Sequence, residues 1–241
     1  MLDKPQSIVE HLTELRSRII KAVLWVVVCV TVAMVFAHRA FTFLMSTATT
    51  GEYKVLLVQH TFGDTFMTEF RLAVIGGLIL AFPFVLYQLI AFVLPALHPN
   101  ERGLLYVGLP FATFMFVLGW SFGWFVVVPL TKGFFLDLSS SAGIQNQITP
   151  GSYIDYILGI CNPLGIAFEL PLVVLILARI GLVSATFLGR IRKYAFLGIM
   201  VIAAILSPPD IISMMIFLVP LYGLYEFSIV LARFAGKARK E

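Results

Sequence analysis

Five carboxylates in this chain sit where acidic groups are out of place. Glu14 and Glu101 stand beside basic residues at the ends of apolar runs, Glu169 inside such a run, Asp210 directly after two prolines, and Glu226 shortly before a basic tail. Acids so placed suit the reception of a cation, guanidinium above all. Its planar fork meets a carboxylate with two parallel hydrogen bonds, where lysine acts as a point charge. No catalytic arrangement accompanies them: H-E-x-x-H, G-x-S-x-G, a phosphate-binding loop and G-x-G-x-x-G are all absent. The expectation is a protein that is not an enzyme, with no cofactor and no metal. Cys29 and Cys161 fall within apolar runs and read as small core residues rather than as a disulfide or metal site.

Two of these acids have competing local readings. Glu14 stands four residues before Arg18, the spacing of a favourable ion pair on one helix face. Glu169 lies in YIDYILGICNPLGIAFELPLVVLILA, residues 153 to 178, a stretch long enough to cross a bilayer. An ionised carboxylate at that depth costs several kcal/mol. The side chain therefore faces other protein or water, acts as a structural hydrogen-bond partner, or is neutral at rest. Pro163 and Pro171 each remove a backbone donor, which predicts a kink in this span and polar groups along one side.

The elements that must hold these residues are membrane helices. With 241 residues, 60% of them hydrophobic and only 12% charged, and a mean hydropathy of +0.97, the chain is too apolar for a soluble domain. It reads as one transmembrane domain over residues 1–241, with no room for an attached enzyme module. The net charge of +4 comes from basic residues flanking apolar segments, where topology rather than nucleic acid explains them.

Residues 1–21 form an amphipathic surface helix rather than a cleavable signal: Ser7 and Glu10 fit a capping box, and Ile8, Leu12, Leu15 and Ile19 recur at helical spacing. Span one follows over 19–37. A polar loop from His38 to Gly63 caps the far side, with Val55 to Val58 resting against the helices. The amphipathic 64–71 and the apolar 72–94 give a long span two, followed by a tight loop 95–103 and span three 104–128 with Pro129 at its end. A second loop at 131–152 precedes span four. Arg179 to Lys193 is a basic loop. Spans five (194–206) and six (211–225), joined by Ser207–Pro208–Pro209–Asp210, are both short against a hydrocarbon core of about 30 Å, which predicts local thinning of the bilayer. Of the lysines and arginines, 13 fall on one side and 4 (Arg39, Lys54, Arg71 and Lys132) on the other. This places both termini in the cytoplasm. The fold class is all-α: six transmembrane helices, two of them short.

The runs HLTELRSRI at 11–19, FPFVLYQLIAFVLPALHPNER at 82–102, GIAFELP at 165–171, SPPD at 207–210 and LYE at 224–226 resemble, in the same order, the TatC family of multispanning receptor subunits of the twin-arginine protein translocase. The resemblance covers nearly the whole chain. It implies a six-helix bundle shaped like a cupped hand in the cell inner membrane, binding twin-arginine signal peptides of folded cargo at its cytoplasmic face. By that resemblance Glu14 and Glu101 are the arginine-binding carboxylates, with Arg16 and Phe92 nearby. Glu169 is the intramembrane glutamate and Asp210 the acid after the double proline, and Glu226 is a third polar position facing partners or lipid. The implied partners are single-span TatA- and TatB-type subunits, the lipid bilayer and further copies of the chain, with no nucleic acid. Two positions depart from the family pattern: Ser46 to Thr50 stand where many members carry a proline, and Met214 near where several have glutamine. Composition alone also suits a small proton-coupled secondary transporter using Glu169. However, no internal repeat relates the two halves, and cytoplasmic carboxylates would have no task there.

Overall fold

The computed structural model describes residues 8–50, 55–93, 104–143, 146–179, 181–207 and 210–237. Among these the chain is almost wholly helical. Five helical stretches are long and apolar enough to cross a membrane: Leu12–Thr49, Asp64–Phe92, Gly108–Ser141, Pro150–Arg179 and Ile211–Phe234. Packing divides the chain into two compact units, Met1–Ser46 with Thr61–Pro110, and Thr47–His60 with Phe111–Glu241.

The first unit is built on α1 (Ile8–Thr49) and α2 (Asp64–Val93). At 42 residues α1 is about 63 Å long, so the surface helix and the first span are one rod. The sequence places a loop from His38 onward, and this is corrected: the helix continues to Thr49. Its hydroxyls bond back into the helix, Thr42 Oγ1 donating to His38 O at 3.1 Å and Ser46 Oγ to Phe43 O at 2.6 Å. Residues that look like loop formers are thereby accommodated in a helix. The two helices cross on small residues, with Cys29, Ala33 and Ala37 buried along α1. A Cβ added to Gly77 of α2 would lie 2.4 Å from Val30 Cα, so only glycine permits this approach. Trp25 and Phe84 stack beside the crossing at 4.2 Å.

In the second unit, β1 (Leu56–Leu57) pairs in parallel with β2 (Gln147–Ile148). The apolar piece at 55–58 is thus tied to a distant strand by backbone hydrogen bonds, in place of the simple resting contact read from sequence. The third helical rod does not stop at Pro129. It runs as α3 (Leu104–Phe122), a π-helical turn (Gly123–Val127) and α4 (Val128–Ser141). Pro129 has no N–H and would clash with the carbonyl four residues back in a regular helix. The wider turn, in which Val128 N–H donates to Gly123 O, absorbs that misfit. Thr131 Oγ1 donates to Val127 O at 2.8 Å and accepts from Tyr156 Oη, which also lies 3.3 Å from Val128 O. The loop signal at Ser139–Gly143 marks the true end, where Gly143 takes a φ of 72°.

Span four breaks as its prolines predict, into α5 (Pro150–Ala167) and α6 (Leu170–Arg179). The basic stretch after it is not all loop, since α7 (Ala185–Arg190) and the start of α8 (Arg192–Leu206) fall within it. At 15 residues α8 is about 22 Å long and short, as expected. The last helix is not: α9 (Ile211–Lys237) runs 27 residues and passes Glu226 without a break. Val174, Ala178, Leu188, Tyr225, Ile229 and Ala232 form a core joining α6, α7 and α9.

Candidate functional site

Glu14 lies in the second turn of α1, and Arg18 one turn further on holds it, Nη2 to Oε1 at 2.6 Å and Nε to Oε1 at 2.9 Å. The local pair read from the i,i+4 spacing is therefore present. Both side chains stay partly solvated, and an i,i+4 pair of this kind contributes only about 0.3 to 0.5 kcal/mol. Arg16 points to solvent on the same helix, and Phe92 is half-buried near the end of α2. Glu101 lies outside the described residues.

Glu169 occupies the break between α5 and α6. Pro171 cannot donate to the carbonyl of Ala167 and disfavours helix at the residue before it. The chain tightens there instead, Glu169 N–H donating to Ile166 O at 3.0 Å. The side chain is 7% exposed, and both of its carboxylate oxygens are buried with no hydrogen-bond partner among the described residues. Aromatic rings crowd the neighbourhood. Phe168 lies 5.9 Å from Phe122, and Gly119 is needed because its Cβ would fall 2.8 Å from Leu164 O and 2.6 Å from Phe168. Unpartnered polar groups in such a place are costly. Glutamine keeps the shape and can both donate and accept. Glu169→Gln should therefore retain fold and transport better than Glu169→Ala, as measured by detergent melting and export of a reporter. Equal loss of export from two well-folded variants would show instead that the carboxyl group itself carries charge or a proton.

Asp210 caps α9, its Oδ1 accepting from Ser213 N–H at 2.7 Å, a regular N-cap contact. Its other oxygen, with Ser207 Oγ and Ser213 Oγ, is buried without a partner among the described residues. The two serines carried no periodic or motif signal beyond SPPD. Glu226 accepts from Arg192 at 2.7 Å and from Tyr222 Oη at 3.1 Å. Protein therefore engages this acid, which clamps α9 to α8.

This order of helices and of acids has close relatives. The family profile described as Sec-independent protein translocase protein (TatC) matches residues 10–220. The chain belongs to the TatC family. It is 37% identical over 235 residues to the Sec-independent protein translocase protein TatC of Carboxydothermus hydrogenoformans, covering 97% of this chain and 96% of that one. It is 36% identical over 229 residues to the protein of the same name from Halalkalibacterium halodurans, covering 95% and 90%. A crystal structure titled twin arginine translocase receptor TatC is 31% identical, with a TM-score of 0.82 over 94% of this chain and 99% of that one. This TatC protein is accordingly a multi-pass membrane protein of a translocase family, not of an enzyme family. Its candidate site residues divide by packing unit: Glu14, Arg16 and Phe92 lie in the first, and Glu169, Asp210 and Glu226 in the second.

Proposed function

We propose that this protein is the core receptor subunit of a twin-arginine translocase in the cell inner membrane. It binds consecutive arginines of a signal peptide through Glu14 and Glu101 at the cytoplasmic face, with Arg16 and Phe92 bordering the site. It also organises single-span TatA- and TatB-type subunits for export of folded proteins. The observation that carries this reading is membership of the TatC family across residues 10–220. The likeness to a solved twin-arginine translocase receptor over 94% of the chain supports it. The weak Arg18 partnership of Glu14 is compatible with exchange for a peptide guanidinium. Crosslinking tests the reading: a twin-arginine signal peptide with a photoreactive group beside its arginines should label residues 94–103 and the start of α1. A twin-lysine peptide should label them far less. Equal labelling by both peptides would defeat it.

The same reading takes α8 as a sixth, short span, with both termini cytoplasmic and one single-domain unit of function. The 13 to 4 distribution of basic residues supports this orientation. Cysteines placed at Thr50 and Ser140, both exposed, should react with a membrane-impermeant thiol reagent from outside intact cells, and one at Lys237 only after lysis. The opposite pattern would invert the topology.

A further inference from the structure

We propose that a cavity beside the π-helical turn is a binding site for the phosphodiester of an anionic phospholipid, with Lys132 as its cation. The proposal does not depend on how signal peptides are bound. The cavity has a volume of about 320 Å³ and lies between the end of α1, the junction of the π turn with α4, and the start of α5. Thr47, Trp124, Phe125, Val128, Lys132 and Tyr153 are among its walls.

Lys132 is the only basic residue within the candidate span Gly108–Ser141, and its side chain is incompletely satisfied. It donates one long hydrogen bond, 3.4 Å, to Thr47 O, and its Nζ lies 5.4 Å from the centre of the Tyr153 ring. No carboxylate among the described residues pairs with it. An ammonium group has three donors, so two remain for a ligand. A cation held in a mainly apolar recess, without an acidic partner, is complementary to an anion.

The surroundings favour a lipid as the source of that anion. Lys132 lies nine residues, about 14 Å of helix, before the end of α4 at Ser141. Trp120 and Trp124 stack at 5.9 Å about two to three turns before it, the kind of aromatic pair enriched at headgroup level. Phe125, one wall of the cavity, is 73% exposed. The mouth therefore opens on the flank that meets hydrocarbon. Phosphate would sit at Lys132, with the glycerol and first acyl carbons along Trp124, Phe125 and Val128. Basic pockets between spans recognise acidic headgroups in this way.

Native mass spectrometry of the purified full chain, delipidated and then titrated with phosphatidylglycerol or phosphatidylcholine, tests this. Wild type should retain phosphatidylglycerol well above phosphatidylcholine. Lys132→Gln should lower that retention roughly tenfold and Lys132→Arg should preserve it. Millimolar inorganic phosphate should neither bind alone nor displace the lipid. Equal retention of the two lipids by wild type would overturn the proposal even if the glutamine variant failed to fold. So would unchanged retention in a folded Lys132→Gln. Binding of inorganic phosphate alone would reassign the site to a soluble anion. Crosslinking of Lys132 in membranes to a carboxylate of another protein, without lipid preference, would reassign it to a partner helix.

Discussion

Replacing either Glu14 or Glu101 by alanine is expected to weaken binding of a twin-arginine signal peptide by roughly ten- to a hundredfold. Two guanidinium groups need two acceptors, and charge-assisted hydrogen bonds at interface depth are worth about 1.5 to 3 kcal/mol each. Glu14 already accepts from a guanidinium, that of Arg18 at 2.6 Å. The intramolecular pair is also a competitor. Removing it with Arg18→Gln should leave peptide binding intact or strengthen it about twofold, since such a pair contributes no more than about 0.5 kcal/mol. Peptide affinity measured in nanodiscs decides the matter, with monodispersity as the control for folding. Wild-type affinity in both alanine variants would place the arginine site elsewhere.

The second large effect is expected at a single methyl group. Gly77→Ala should destabilise the protein by about 1 to 3 kcal/mol, because the new Cβ would sit 2.4 Å from Val30 Cα and 2.7 Å from Val30 N. Those are backbone atoms of α1, which no rotamer change can move. Gly76→Ala, one residue away, is the internal control. Its Cβ would meet only Ala33 Cβ at 4.0 Å, an ordinary contact, and alanine favours helix over glycine. It should be neutral or slightly stabilising. Melting of both variants in the same detergent tests the crossing; equal midpoints would mean that α1 and α2 do not meet as described.

Hydropathy made the membrane-spanning elements legible, because an apolar run of about 20 residues has few other uses. Their ends were less legible, for reasons that vary with the residue. His38 to Thr49 reads as loop by composition, yet its hydroxyls serve the helix's own carbonyls. Pro129 reads as a stop, yet a π turn makes room for it. Glu226 reads as the end of an apolar run, yet Arg192 and Tyr222 engage it, and α9 continues. At Glu226 a contact with another helix decides, whereas at the other two the adjustment lies within the helix itself. The sites divide similarly. The Glu14–Arg18 spacing and the break at Glu169 follow from position in sequence. Lys132 gave only a topology signal, because what distinguishes it is a cavity assembled from three separated segments.

The parallel bridge between Leu56–Leu57 and Gln147–Ile148 imposes an order on biosynthesis. Parallel strands need a crossover connection, and this one comprises roughly ninety residues and two helical rods. At a ribosomal rate of about 5 to 20 residues per second, the first strand exists for roughly 5 to 20 s before its partner is made. During that interval its backbone donors and acceptors are open to water, chaperones or proteases. The stitch can close only once the second strand, Gln147–Ile148, has been synthesised.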